Sequence, residues 1–278
     1  MTKQPSDDAS ASAPQAFSQV SSVRARSAGT FDAEINSAWT IAGRPNGGYL
    51  LALLGRAAAS LADSAHVVAA SAHYLRSPVP GSVVIEAELL RRGRSISQVR
   101  ARLTQDGRPC VEALLSTAEL DSGAAPRWDV GVPGAQHVPF DDGVRVGSVS
   151  PHGFTAPIMD QVDLRLDPES SGLTNGGPSG RGQLRGWLKL LVEERFDPVS
   201  LLYAVDAFPP ATYDTDFGGM VSTIELTAYI RAIPGPGPVR IMTRARLIDP
   251  QCVDQTCDIW DGTGRLVAQA TQLAKVLG

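Results

Sequence analysis

From Thr30 to Ile41 apolar residues fall at Phe31, Ile35, Trp39 and Ile41, a strand-like spacing that runs into the turn residues Gly43, Pro45, Asn46, Gly47 and Gly48. The next segment, YLLALLGRAAASLA, is apolar around most of its surface, with Leu50, Leu51, Leu53, Leu54, Ala57, Ala58 and Leu61. A helix of that composition has no solvent face, so it is expected to sit inside a sheet. Four strands are predicted after it, His66 to Arg76, Ser82 to Leu90, Ser95 to Thr104 and Pro109 to Leu120, separated by the turn signals SPVPG, RRGR and QDGR.

The second half repeats this order. It begins near Ile158 with IMDQVDLRLDP and a second strand, RGQLRGWLKLLV. SLLYAVDAF reads as the helix, with Pro198 near its start and Pro209-Pro210 closing it, because proline lacks an N–H and has a fixed φ. Strands follow over Val221 to Ile233, Val239 to Ile248, Val253 to Asp258 and Arg265 to Val276. The likeness extends to residues: the segment from Ala72 recurs in outline from Ala228, with Arg76 and Asp106-Gly107 matched by Arg231 and Asp261-Gly262, both 155 positions on. The expected organisation is a flexible tail over 1–26, a first unit over 27–121, a Gly/Pro/Asp-rich linker over 122–151 and a second unit over 152–278. SSGLTNGGPSGRG is expected to be a flexible loop.

Composition narrows the function classes. The chain has 278 residues, 43% hydrophobic and 19% charged, with a formal net charge of −4. That balance suits a globular protein and offers no general attraction to nucleic acid or an anionic membrane. Cys110, Cys252 and Cys257 form no CxxC pair and leave an odd thiol, which fits a reducing compartment. The N-terminal stretch lacks the apolar core of a secretory signal, and no apolar run is long enough to span a membrane. The cytoplasm is the expected location. His66, His73, His137 and His152 lack metal-ligand spacing, and there is no G-x-S-x-G elbow or phosphate-binding P-loop.

A wholly apolar helix embraced by antiparallel strands, occurring twice, is the pattern of a fused pair of hotdog folds. The expected class is therefore α+β, a double hotdog of two tandem antiparallel sheets, each wrapped around a long buried helix. The stretch W-T-I-A-G-R-P-N-G-G-Y-L with R-R-G-R-S, and later D-A-F-P-P-A, S-T-I-E-L-T and A-Q-A-T-Q-L-A, resembles the type II acyl-CoA thioesterases and the wider thioesterase-like superfamily. The resemblance covers roughly Phe31 to Val276. It implies an acyl-CoA or acyl-carrier thioester as substrate, no cofactor beyond the coenzyme A that the substrate itself brings, and a homodimer or higher homo-oligomer.

The two halves differ in polarity. Aligning LLALLGR with LLYAVDA sets Asp206 against Gly55, the strand offset sets Thr223 against Val68, and the last strand sets Gln272 against Leu115. Asp206 follows Leu202 by four residues, beside the apolar face and near a helix C-terminus, where the macrodipole disfavours its charge. Gln272 shares a strand face with Leu266, Ala268, Ala270 and Ala274, where an amide must find partners or lose about 1–3 kcal/mol. Strand alternation groups Thr223 with Val221, Glu225 and Thr227, opposite Ile224 and Leu226, which points it away from the helix if the latter pair cover it. In the resembling thioesterases an Asp, a Thr and a Gln at these positions hold the attacking water, and the carry-over lands on Asp206, Thr223 and Gln272. Asn46, Gly47 and Gly48 are candidate carbonyl-binding turn residues at a helix N-terminus, or plain turn residues. Arg92 and Arg94 are candidate contacts for the phosphates of coenzyme A, and Trp39 is a candidate wall of the acyl site or a core anchor. Rival readings are a non-catalytic acyl-thioester-binding protein and a hotdog dehydratase or cyclase.

Overall fold

The computed structural model describes residues 13–62, 66–121, 125–130, 133–135, 138–150, 153–172, 177–192, 195–217 and 220–277. A short helix α1 (Phe17–Val20) leads into strands β1 (Arg24–Ser27) and β2 (Thr30–Ile35), a small hairpin of β3 (Thr40–Ile41) and β4 (Arg44–Pro45), and the helix α2 (Gly47–Leu61). Strands β5 (His66–Tyr74), β6 (Gly81–Arg91), β7 (Ile96–Gln105) and β8 (Arg108–Ala118) complete the first half. The second half contains β9 (Val144–Arg145), β10 (Val162–Leu166), β11 (Gln183–Leu190), helix α3 (Pro198–Ala204), β12 (Val221–Ile230), β13 (Val239–Ile248), β14 (Cys252–Trp260) and β15 (Leu266–Val276).

One antiparallel sheet of thirteen strands, rather than the two expected, runs in the order β1-β2-β6-β7-β8-β5-β12-β15-β14-β13-β11-β10-β9. Counted outward from the centre, β5-β8-β7-β6-β2 is answered by β12-β15-β14-β13-β11, so both halves use one strand order. They fuse where β5 and β12 pair, with Ala70 opposite Ala228 and Ala72 opposite Leu226. These small and apolar residues are buried, so the seam is sealed on the helix side.

The two helices differ more than their sequences suggest. α2 has fifteen residues, and its Gly48–Leu54 run is buried, as a rod held between sheet and partner helix requires. It starts at Gly47, two residues before the apolar run, because the Asn46 side chain caps it by accepting from Tyr49 N at 2.9 Å. α3 has only seven residues, opened by a capping box between Asp197 and Ser200, and it ends at Ala204. Asp206 therefore lies just past the helix. α2 packs across α3 and against β5 to β8.

The expected tail and linker are both partly built into the fold. Phe17 is 1% exposed and stands 5.0 Å from Trp39 and 5.3 Å from Tyr203, ring centre to ring centre, so the core begins well before residue 27. An apolar pair in an otherwise polar stretch, Phe17 and Val20, is what seats α1. In the linker, Trp187 donates its indole N–H to Val138 O at 2.7 Å, and β9 pairs with β10. Residues 173–176 of the expected loop lie outside the described residues. Phe17→Ala is expected to cost about 3–5 kcal/mol, as for other buried aromatic truncations. Urea denaturation with an unchanged midpoint would show that the N-terminal segment is not part of the core.

Candidate active site

The site forms where the N-terminus of α2 meets the turn after α3. Asp206 N donates to Tyr203 O at 3.0 Å, which tightens the chain out of the helix and swings the carboxylate back toward α2. Its Oδ2 accepts from Gly48 N at 2.9 Å and from Asn46 Nδ2 at 3.3 Å. Asn46 Nδ2 also donates to Asp206 O at 2.8 Å, so one side chain caps α2 and clamps both ends of Asp206. The carboxylate thus sits at the C-terminal end of one helix, which repels it, and at the N-terminal end of another, which attracts it.

Glycine is required at both contacts. A Cβ on Gly48 would lie 2.7 Å from Tyr203 O and 2.8 Å from Leu202 O, and one on Gly47 would lie 2.9 Å from Asp206 Oδ2. Tyr74, on β5, braces the same turn by donating its hydroxyl to Gly47 O at 2.8 Å.

The other oxygen meets the sheet. Gln272 Nε2 donates to Asp206 Oδ1 at 3.1 Å and to Thr223 Oγ1 at 2.5 Å. Thr223 reaches the site because the period-2 reading of β12 fails there. Thr223 pairs with Ala274 and Glu225 with Leu273, which leaves Ile224 as an extra residue in a bulge. The bulge turns Ile224 outward, 37% exposed, and puts Thr223 on the inner side with Leu226. β5 carries the same irregularity between Val67 and Ala69, so the partner of Thr223 in the first half is Val67, not Val68. The pairing of Leu226 with Gln272, answered by Ala70 with Leu115, keeps Leu115 as the partner of Gln272.

Asp206 has its pKa pushed up to about 6, chiefly by burial, against the lowering effect of its hydrogen bonds from Gly48, Gln272, Gly47 and Asn46. The neighbouring Tyr74, Tyr203 and Cys257 are all held protonated by burial, and each also feels the negative charge of Asp206. A cavity of about 10 Å³, the size of one water, is lined by Asp206, Gln272, Gln255, Thr243, Cys257 and Phe208 among others. Of the hydrogen-bonded residues around Asp206, Gly47, Tyr74, Thr223 and Asp206 itself keep partial solvent exposure. A far larger concavity, about 1010 Å³, lies over β1, β2, β6 and β7; it contains none of these residues, and Arg24 and Arg26 there are paired with Asp32.

The remaining candidates are placed elsewhere. Trp39 is 1% exposed within the aromatic cluster of Phe17, Tyr49 and Tyr203, so it is a core anchor rather than a wall of the site. Arg92 and Arg94 sit on the β6–β7 hairpin tip, at the end of the sheet where Ile96, Ala118 and His66 align. Thr223 lies beyond the other end, past the pairing of Glu225 with His73, so the length of β5, roughly 25 Å, separates the two. The Gly48 amide, a candidate oxyanion donor, is already taken by Asp206. Tyr74 and Gln255 were not singled out by the sequence. Gln255 carries the same signal as Gln272, an amide among the inward residues Val253, Cys257 and Ile259. His137 and His152 lie outside the described residues; among the described ones no cluster of three metal-ligating side chains occurs, and no helix is long and apolar enough to cross a membrane.

Residues 35–118 match the acyl-CoA thioesterase N-terminal domain, and residues 134–276 match the acyl-CoA thioesterase C-terminal domain. The chain belongs to the acyl-CoA thioesterase family. It is similar to a candidate thioesterase II from Thermobifida fusca, with 31% identity, a TM-score of 0.87 and coverage of 95% of this chain and 98% of that one. A conserved protein with a hot dog fold from Alicyclobacillus acidocaldarius superposes with a TM-score of 0.81 at 20% identity over 95% of this chain and 98% of that one, which supports the hotdog fold. An uncharacterized protein of Mycobacterium tuberculosis is 29% identical over 269 residues, 88% of this chain and 90% of its own length. More distantly, a polyketide dehydratase domain from the same organism shares the fold at 12% identity and a TM-score of 0.56, over 90% of this chain and 93% of that one.

Gly48→Ala should force α2 off α3, cost about 1–3 kcal/mol and open the carboxylate to water. Thermal denaturation would reveal this, and an unshifted transition would mean that the close helix contact carries no constraint.

Proposed function

We propose that this protein hydrolyses acyl thioesters of coenzyme A or of an acyl carrier, using a water activated by Asp206 and no metal or cofactor, on a double hotdog scaffold. The observation that carries this reading is the Gln272 nitrogen shared between Asp206 Oδ1 and Thr223 Oγ1. Both hydrogens of that amide are then committed, which leaves Oδ1 a free lone pair and Thr223 a free hydroxyl hydrogen. A water between them would give one proton to Asp206 Oδ1 and be steered by donating its other to the second lone pair of Thr223 Oγ1, which keeps the Thr223 hydroxyl hydrogen free. Its oxygen attacks the thioester carbonyl, and the Thr223 hydroxyl, rather than the occupied Gly48 amide, is the donor available to the developing oxyanion. As the tetrahedral species collapses, the C–S bond breaks and the proton on Asp206 passes to the leaving sulfur. The products are a thiol and a carboxylic acid, which releases the second proton of the water to solvent and leaves as a carboxylate.

A base with a pKa of about 6 suits this task, being ionised at neutral pH yet basic enough to take a proton. Among the described residues, Tyr74, Tyr203 and Cys257 beside Asp206 are held protonated by burial, so none of the three offers the dehydratase alternative a second group that titrates near neutrality.

Free-thiol release from a panel of acyl-CoA esters is the direct test, with a drop of about a hundredfold or more expected for Asp206→Asn. Equal turnover in that variant would remove Asp206 as the base, and saturable binding without turnover in the native protein would favour an acyl-thioester-binding role. Because the ionised form is the active one, kcat/KM should rise with pH through a midpoint of about 6. A profile flat from pH 5 to 8 would contradict the assigned base.

A further inference from the structure

Gln255, on β14, is 8% exposed, and both ends of its amide are committed. Its Oε1 accepts from Ala211 N at 2.7 Å, and its Nε2 donates to Gln272 Oε1 at 2.7 Å. A backbone N–H can only donate, so Ala211 dictates which end of the Gln255 amide faces it. The NH2 end is then left for Gln272, whose oxygen must turn toward Gln255 and whose nitrogen must turn toward Asp206 and Thr223.

We propose that Gln255 is a positioning residue of this site, carrying the polarity of the Ala211 N–H through to Gln272 and so holding the Gln272 nitrogen on Asp206 Oδ1 and Thr223 Oγ1. Without it, a half-turn of the Gln272 amide exchanges oxygen and nitrogen with little change of shape. The oxygen would then face the carboxylate, and both donor bonds would be lost. The relay closes on itself in the sequence: Asp206 and Ala211 belong to the same D-A-F-P-P-A segment, so the loop that carries the base also carries the amide that orients its partner.

The register supplies an independent observation. Gln255 pairs with Gln272 on β14 and β15, and the equivalent pair on β7 and β8 is Val99 with Leu115. Both members are amides in the half that holds Asp206, and both are apolar in the half that lacks it. An inward amide serving only to satisfy Ala211 N would have no reason to stand against Gln272.

The relay is a statement about hydrogen bonds, and only its consequence for turnover rests on the hydrolase reading. Two variants test it. Gln255→Leu removes the relay, whereas Gln255→Glu keeps the volume and the bond from Ala211 but presents an acceptor to Gln272, which inverts that amide. The readouts are the titration midpoint of the Asp206 carboxyl by 13C NMR, assigned by its absence in Asp206→Asn, and kcat and KM with an acyl-CoA ester. Loss of a donor to the ionised carboxylate favours its protonated form, so the midpoint should move upward from about 6 by about one pH unit in each variant. Tyr74 on β5, Tyr203 on α3 and Cys257 on β14, which feel the Asp206 charge, all ionise at higher pH, and the carboxyl introduced by Gln255→Glu is told apart because its signal persists when Asp206→Asn is added. kcat should fall about tenfold or more while KM stays within about twofold. Folded variants with the native midpoint and native kcat would overturn the proposal, and if the Leu variant does not fold, the Glu variant decides. Absence of thiol release by the native protein would defeat the hydrolase reading alone, since the carboxyl midpoint still judges the relay.

Discussion

The structure turns on one contact, the Asp206 carboxylate set against the first turn of α2. Burial alone would leave that carboxyl neutral, and full exposure would leave it near its ordinary acidity, a poor base in either case. The N–H groups of α2 and the Asn46 and Gln272 amides hold the ionised form, while the surrounding aromatic and aliphatic side chains limit how far they succeed, and the outcome is a pKa of about 6. The backbone has to permit this. Gly47 and Gly48 let α2 approach the Leu202 and Tyr203 carbonyls, and the short α3 ends early enough for Asp206 to turn back on its neighbour. Lengthening α3 by one turn would carry the carboxylate onto the helix itself and away from both amide donors.

The same arrangement repeats in the first half with its chemistry removed. Gly55 stands where Asp206 does, its absent Cβ filled by the Leu202 side chain at 2.7 Å and approached by Val67, the partner of Thr223. Leu115 and Val99 replace Gln272 and Gln255. A buried polar cluster is stabilising only when every member is satisfied, and even then it is harder to build than an apolar one. One half therefore carries a connected network of hydrogen bonds, and the other supplies dry packing at the equivalent place.

The apolar rod of α2 and the strands that follow it were legible because their side chains face one environment along their whole length, and position along the chain then suffices. The polar asymmetry at Asp206 and Gln272 was legible for a related reason: an acid or amide on an otherwise apolar face stands out without coordinates. What could not be read were features that depend on a single inserted residue or on which strands become neighbours. The bulge at Ile224 reverses the face of Thr223, and no composition signal in V-S-T-I-E-L announces it. Arg92 and Arg94 looked suited to phosphate because the hairpin tip is basic, but the antiparallel pairing of β5 with β12 sends that tip to the end of the sheet opposite Asp206. Phe17 was hidden by its polar surroundings, since one aromatic ring in a Ser- and Gln-rich stretch carries no period.

The bulge itself belongs to the fold rather than to the chemistry. It occurs in both halves, at Val68 and at Ile224, near the start of the strand in each. In β5 it brings Val67, an apolar side chain, onto the helix side, where it is fully buried. In β12 the same backbone step presents a hydroxyl within 2.5 Å of an amide that also holds the carboxylate. A strand without the bulge would send Thr223 outward and Ile224 inward, and the site would lose its hydroxyl while gaining a methyl-rich wall. A backbone irregularity shared by both units thus became useful in one of them through a change of side chain, with no change of path. Turning Ile224 out to the surface leaves Thr223, with Gly47, Tyr74 and Asp206, among the partly exposed residues of the site.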